Sequence, residues 1–86
     1  MSENAELPVS FSSFVVSLAS SGMVALGEAP DPATGGANVN LQHARHTIDL
    51  LGVFKAKTEG NLDEEESRLL DTMLYELRSK FIAKTS

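Results

Sequence analysis

The sequence predicts an all-α domain of three helices, at about residues 10–26, 41–58 and 63–82, with helix 1 at the centre and the other two folded against it as an antiparallel hairpin. Three observations predict it. Ser10–Leu26 runs for seventeen residues without a charge, more apolar than anything else in the chain. Two later segments repeat apolar residues at spacings of three and four, the period of amphipathic helices. Between the segments stand two breaks, Gly27–Asn38, whose two prolines and Gly-Gly pair exclude regular structure, and the short connection Glu59–Leu62.

Eighty-six residues make one domain near the lower limit for a self-sufficient core. We assign residues 8–84 to it and residues 1–7, polar and aperiodic, to a disordered tail. Domains this small usually need a disulfide, a metal or a second copy of themselves. Cysteine is absent, which removes disulfides and thiolate metal sites and fits a reducing cytoplasm. The net charge of −5, with only seven basic residues, argues against nucleic acid, whose phosphates require Lys and Arg clusters.

Helix 1 has a clear start. Ser10 is a candidate N-cap accepting from the amide of Ser12 or Ser13, and Val9 and Phe14 occupy the positions of a hydrophobic staple. Gly27 stands where a left-handed residue would end the helix. Phe11, Phe14, Val15, Leu18 and Gly22 form one apolar stripe, and Val16, Ala19, Met23 and Leu26 a second. Between them runs a row of small residues, Ser13, Ser17, Ser21 and Ala25, along which another backbone can approach closely. A helix apolar on nearly all sides belongs in a large core or an oligomer, and this chain is too short for a large core. The expected oligomer interface is therefore Phe11, Phe14, Ser13, Ser17, Leu18, Ser21 and Ala25, in a homodimer or higher assembly. The rival reading inserts helix 1 in a bilayer and leaves the acidic hairpin in the cytoplasm. Seventeen helical residues rise about 25 Å against a hydrocarbon core of about 30 Å, and the stretch has six serines and no basic or Trp/Tyr flank. The acidic residues before it also disfavour a secretory signal.

The loop from Gly27 to Asn38 is long for a helix connection, and it lacks the Gly-Lys-Ser/Thr of a phosphate loop. Helix 2 follows Asn40 as N-cap, with Leu41, Ala44, Ile48, Leu51 and Phe54 on its inner face and Arg45–Asp49 paired outside. Gly52 interrupts it, which suggests close approach of another helix, and Lys55 and Lys57 suit its C-terminal end. Helix 3 opens with Asp63 and Glu66 as a capping box and carries Leu69, Leu70, Met73, Leu74, Leu77, Phe81 and Ile82 inward. Glu64–Arg68 and Glu76–Lys80 are spaced for ion pairs, and the last few residues should fray.

Three blocks carry a family resemblance: Phe11-Ser12-Ser13-Phe14-Val15-Val16-Ser17-Leu18-Ala19; Thr47-Ile48-Asp49-Leu50-Leu51-Gly52 with Ala44 before it; and Lys57-Thr58-Glu59-Gly60-Asn61-Leu62, running on through Leu69-Leu70 to Leu74-Tyr75-Glu76-Leu77-Arg78. Together with Leu26-Gly27-Glu28 and Pro30-Asp31-Pro32 they resemble DUF1844, small bacterial proteins or domains without an assigned function, over roughly residues 10–82. The resemblance implies a bacterial, soluble, mainly helical domain and supplies no catalytic set.

The residues themselves offer little chemistry. His43 and His46 share a helix face with Asp49 one step on, a weak pattern for a divalent metal, since helical zinc motifs of the HExxH type use i,i+4. The serines of helix 1 have no base placed by sequence. Tyr75 and Arg78 can stack on one another or anchor a partner. The reading is a non-enzymatic, cytoplasmic helical module, without cofactor or metal, that associates with itself and with an unknown protein partner.

Overall fold

The computed structural model describes residues 9–86, so the assigned tail at 1–7 lies outside the described residues. Three helices form, α1 (Phe11–Ala25), α2 (Leu41–Lys57) and α3 (Glu64–Thr85), with no strand among the described residues. Each helix packs against both others. Phe14 and Ser21 of α1 meet Phe54 and His43 of α2, so these two run antiparallel. Gly22 neighbours Leu77, and Glu28 reaches Lys80 and Lys84, so α1 and α3 run the same way.

The caps follow local chemistry. Ser10 accepts from the Ser13 amide at 3.0 Å while the Ser13 hydroxyl accepts from the Ser10 amide at 3.1 Å, a reciprocal box that satisfies two otherwise orphaned donors. The expected staple does not form: Val9 is fully exposed, and Phe14 instead meets the Phe54 ring edge-on with centroids 5.1 Å apart. At the other end Gly27 adopts φ +79°, its amide bonds Val24 at 3.0 Å, and the Glu28 amide bonds Met23 at 2.9 Å. That is a Schellman motif, which favours glycine because a side chain is strained at positive φ. A Cβ at Gly27 would also lie 2.8 Å from the Val39 side chain.

The long loop is tied rather than slack. The Asp31 carboxylate accepts from the Ala33 amide at 2.9 Å, its carbonyl accepts from Gly35 at 2.7 Å, and its amide donates to Gly36 at 2.9 Å. The Asn40 amide donates to Ala25 at 2.7 Å and closes the loop, while the Asn40 side chain caps α2 by accepting from His43 at 3.0 Å. Asp63 and Glu66 form the expected box at 2.8 and 3.0 Å. The far end of α3 departs from expectation. It remains helical to Thr85, where the Thr85 hydroxyl donates to Phe81 at 3.0 Å and Lys84 sits 3.6 Å from Glu28. A cation in the last turn and a carboxylate from the α1 exit hold the end that sequence alone leaves to fray.

The core is Val15, Ala19, Ala25 and Leu26 from α1 and its exit, Ala44, Ile48 and Leu51 from α2, and Leu70, Leu74 and Leu77 from α3. Thr47 is the one buried polar residue among those described, and its hydroxyl donates to the His43 carbonyl at 3.1 Å. The buried line on α1, Val15–Ala19–Gly22–Leu26, takes members from both stripes expected of it, because the inward direction bisects them. Ile82, expected inside, is 62% exposed.

The tight approach falls at Gly22, not Gly52. A Cβ on Gly22 would lie 3.1 Å from both Leu77 Cδ2 and Thr47 Cγ2, where α1, α2 and α3 meet. Gly52 faces α3 instead of the serine row of α1, and a Cβ there would meet only Arg78 Nη2 at 3.7 Å. Opposite outcomes follow for the two glycines. Gly22→Val should destabilise by about 1–3 kcal/mol through overpacking. Gly52→Ala should stabilise by roughly 0.5–1 kcal/mol by restoring helix propensity in space already open. Urea unfolding of both variants checks the pair; equal midpoints would contradict the assignment of close contact to Gly22.

Candidate interaction surface

The side of α1 turned away from the core carries Phe14, Val16, Ser17, Ser20 and Ser21, all exposed, with Ser13 and Val24 half-buried at its margins. Helical spacing puts these residues outward once Val15, Ala19 and Gly22 face in. No residue of α1 is ionisable, so the surface is uncharged along the whole helix. Phe14 is 46% exposed and Val16 40%, one on each flank of the serines. Phe14 is held by its edge-on contact with Phe54, which fixes the ring at the seam between α1 and α2.

The residues expected at an oligomer interface divide accordingly. Ser17 and Ser21 are exposed on the outer face, with Phe14 beside them and Ser13 half-buried. Phe11 and Leu18 are half-buried and pack against the core of their own chain. Ala25 is only 4% exposed and is consumed by that core, so it leaves the row. The position follows from the Schellman exit, which turns the last turn of α1 toward the loop and bonds the Ala25 carbonyl to Asn40. Sequence reasoning missed Val16 and the Phe14–Phe54 pair; the first stands in the second apolar stripe with Ala19, outside the expected interface, and the second depends on α1 and α2 lying side by side.

Beside this surface, Ser21 Oγ lies 3.2 Å from His43 Nε2. The contact borders a cavity of about 510 Å³ between α1, the loop and the start of α2, lined also by Val24, Asp31, Asn38 and Asn40. A hydroxyl beside an imidazole is two-thirds of a nucleophilic site, but among the described residues no carboxylate hydrogen-bonds the His43 ring to orient it. A second cavity of about 370 Å³ lies under the α2–α3 turn, bordered by Gly52, Thr58, Gly60, Leu62 and the Lys55–Asp71 ion pair.

Among the described residues no group of three or more His, Asp or Glu side chains converges to hold a metal, so His43, His46 and Asp49 do not form the set their spacing suggested. Asp49 instead lies 3.9 Å from Arg45 on the exposed side of α2. Among the described residues no helix is long and apolar enough to cross a membrane. This overturns the inserted-helix reading: the fifteen residues of α1 rise only about 22 Å, and Val15, Ala19 and Gly22 are buried against α2 and α3.

A three-helix domain in which no described helix is long and apolar enough to cross a membrane, and which turns an uncharged helix face outward, is the class these observations define. The chain belongs to the DUF1844 family, a domain of unknown function, whose pattern matches residues 8–83. No curated protein and no solved structure matches it. The geometry around His43 generates a prediction of its own. Protein purified without a histidine tag should contain no stoichiometric metal and should keep its melting temperature when zinc is added; a zinc-dependent rise would restore the histidine pair as a ligand set.

Proposed function

We propose that this domain is a non-enzymatic module of the cytoplasm that pairs with a second copy of itself through the outer face of α1 and acts by protein–protein contact. The observation that carries the reading is the contrast in charge. A chain of net charge −5 is repelled by its own copy. Of the three described helices, α1 is the one with no charged residue, and it exposes Phe14 and Val16. Two copies meeting there desolvate no ion, and the serines between the two side chains let the backbones come close. Phe14, already braced on Phe54, is the natural anchor, since a rigid aromatic brings a large contact area at little cost in conformational entropy. The absence of cysteine agrees with a reducing compartment.

Sedimentation equilibrium at micromolar concentration tests this directly, and a strict monomer sinks it. Two substitutions at exposed Ser17 separate its parts. Ser17→Glu should weaken association about tenfold or more, because each copy then buries an unpaired carboxylate. Ser17→Leu should also weaken it if the helices touch through their small residues, and should strengthen it if the face is merely apolar. Both variants should keep the wild-type helical content, since Ser17 lies outside the core.

A further inference from the structure

A second surface lies on α3, along its seam with α2 and away from α1. Tyr75, Arg78 and Ile82 follow one another at spacings of three and four and share one side of the helix. Tyr75 is 70% exposed and Ile82 62%, the most exposed large hydrophobic side chains on α3. Arg78 between them differs from the other arginines. Arg45 has Asp49 at 3.9 Å and Arg68 has Glu64 at 3.6 Å, whereas no carboxylate lies within ion-pair distance of Arg78 among the described residues. This holds in a chain with twelve acidic residues against seven basic ones, where carboxylate partners are abundant. Asp71, two turns earlier on the same side of α3, is taken by Lys55. Arg78 is also positioned: its guanidinium lies beside Gly52, where α2 has no side chain to push it away.

We propose that this row docks an amphipathic helix of another protein, one that presents a carboxylate to Arg78 and apolar side chains one turn to either side, against Tyr75 and Ile82. Charge complementarity selects the occupant. An unpaired guanidinium seeks a planar anionic partner for a two-pronged hydrogen bond, and its apolar neighbours exclude water around it. Tyrosine and arginine are also the residue types that dominate binding hot spots. A second copy fits poorly, because a two-fold contact centred on this row sets Arg78 against its own counterpart. The proposal rests on the reading that the domain acts by protein contact, but not on self-association through α1.

The test uses the full chain and a display library of amphipathic helical peptides. One central position varies over Asp, Glu, Asn, Gln, Lys and Arg, and the flanking positions over apolar and small residues. Acidic central residues should be enriched. The enriched peptides should lose roughly tenfold or more in affinity for Arg78→Ala and Tyr75→Ala, and less than about twofold for Arg68→Ala. Arg78→Glu should turn the preference toward Lys and Arg. Circular dichroism should be unchanged throughout, because all these positions are exposed. No enrichment, enrichment without an acidic preference, or undiminished binding to Arg78→Ala each overturns the proposal. So does binding that Ser17→Glu abolishes, which assigns the peptide to α1. If Arg78→Glu changes the sedimentation of the chain alone, the row belongs to a second copy and the proposal likewise fails.

Discussion

Everything on α1 depends on the contact at Gly22. There the methyl of Thr47 and the methyls of Leu77 converge on a position with no side chain, so one residue sets the approach of two helices to a third. With Gly22 turned inward, helical geometry sends Val15, Ala19 and Leu26 into the core and leaves Phe14, Ser17 and Ser21 outside. The result is an inversion within the most apolar helix. Its small apolar residues Ala19, Gly22 and Ala25 line the centre, its phenylalanines sit at the rim, and Leu51, Leu70, Leu74 and Leu77 from α2 and α3 join them in the core. Close packing makes this arrangement intolerant of added volume at Gly22, since interiors are as dense as organic crystals.

That inversion explains what the sequence disclosed and what it withheld. Helix existence and nearly all boundaries were legible, because Ser10, Asn40, Asp63 and Gly27 announce their caps through local hydrogen bonds that need no tertiary context. The inward faces of α2 and α3 were legible for the same reason that amphipathic helices are, a one-sided pattern. The orientation of α1 was not, because a helix apolar all round carries no directional signal. Gly52 and Gly22 look alike in sequence; only the neighbours they meet distinguish a packing glycine from one that faces a groove.

Long-range ion pairs were hidden too. Lys80 is spaced to pair with Glu76 on its own helix, yet it lies 3.7 Å from Glu28 across the fold, with Lys84 on the same carboxylate. Such half-exposed pairs contribute little stability individually, but two cations on one acid extend α3 beyond its expected end. At the candidate surface the serine row was legible as a set of small residues, while its truncation at Ala25 required the loop closure at Asn40.

The two outward surfaces differ in the physics they offer a partner. The α1 face is uncharged and lies between Phe14 and Val16, so it favours an occupant that brings no charge, and a second α1 satisfies that condition. The α3 row offers a cation that has no carboxylate partner among the described residues, set between exposed Tyr75 and Ile82, so it favours an occupant that supplies one. Because each helix packs on both others, a partner on the outer side of α1 leaves the α2–α3 seam open. Pairing through α1 would therefore present two Arg78 rows in one assembly, and a target with two acidic helices would gain from effective concentration without any new contact. Self-association would then serve binding strength.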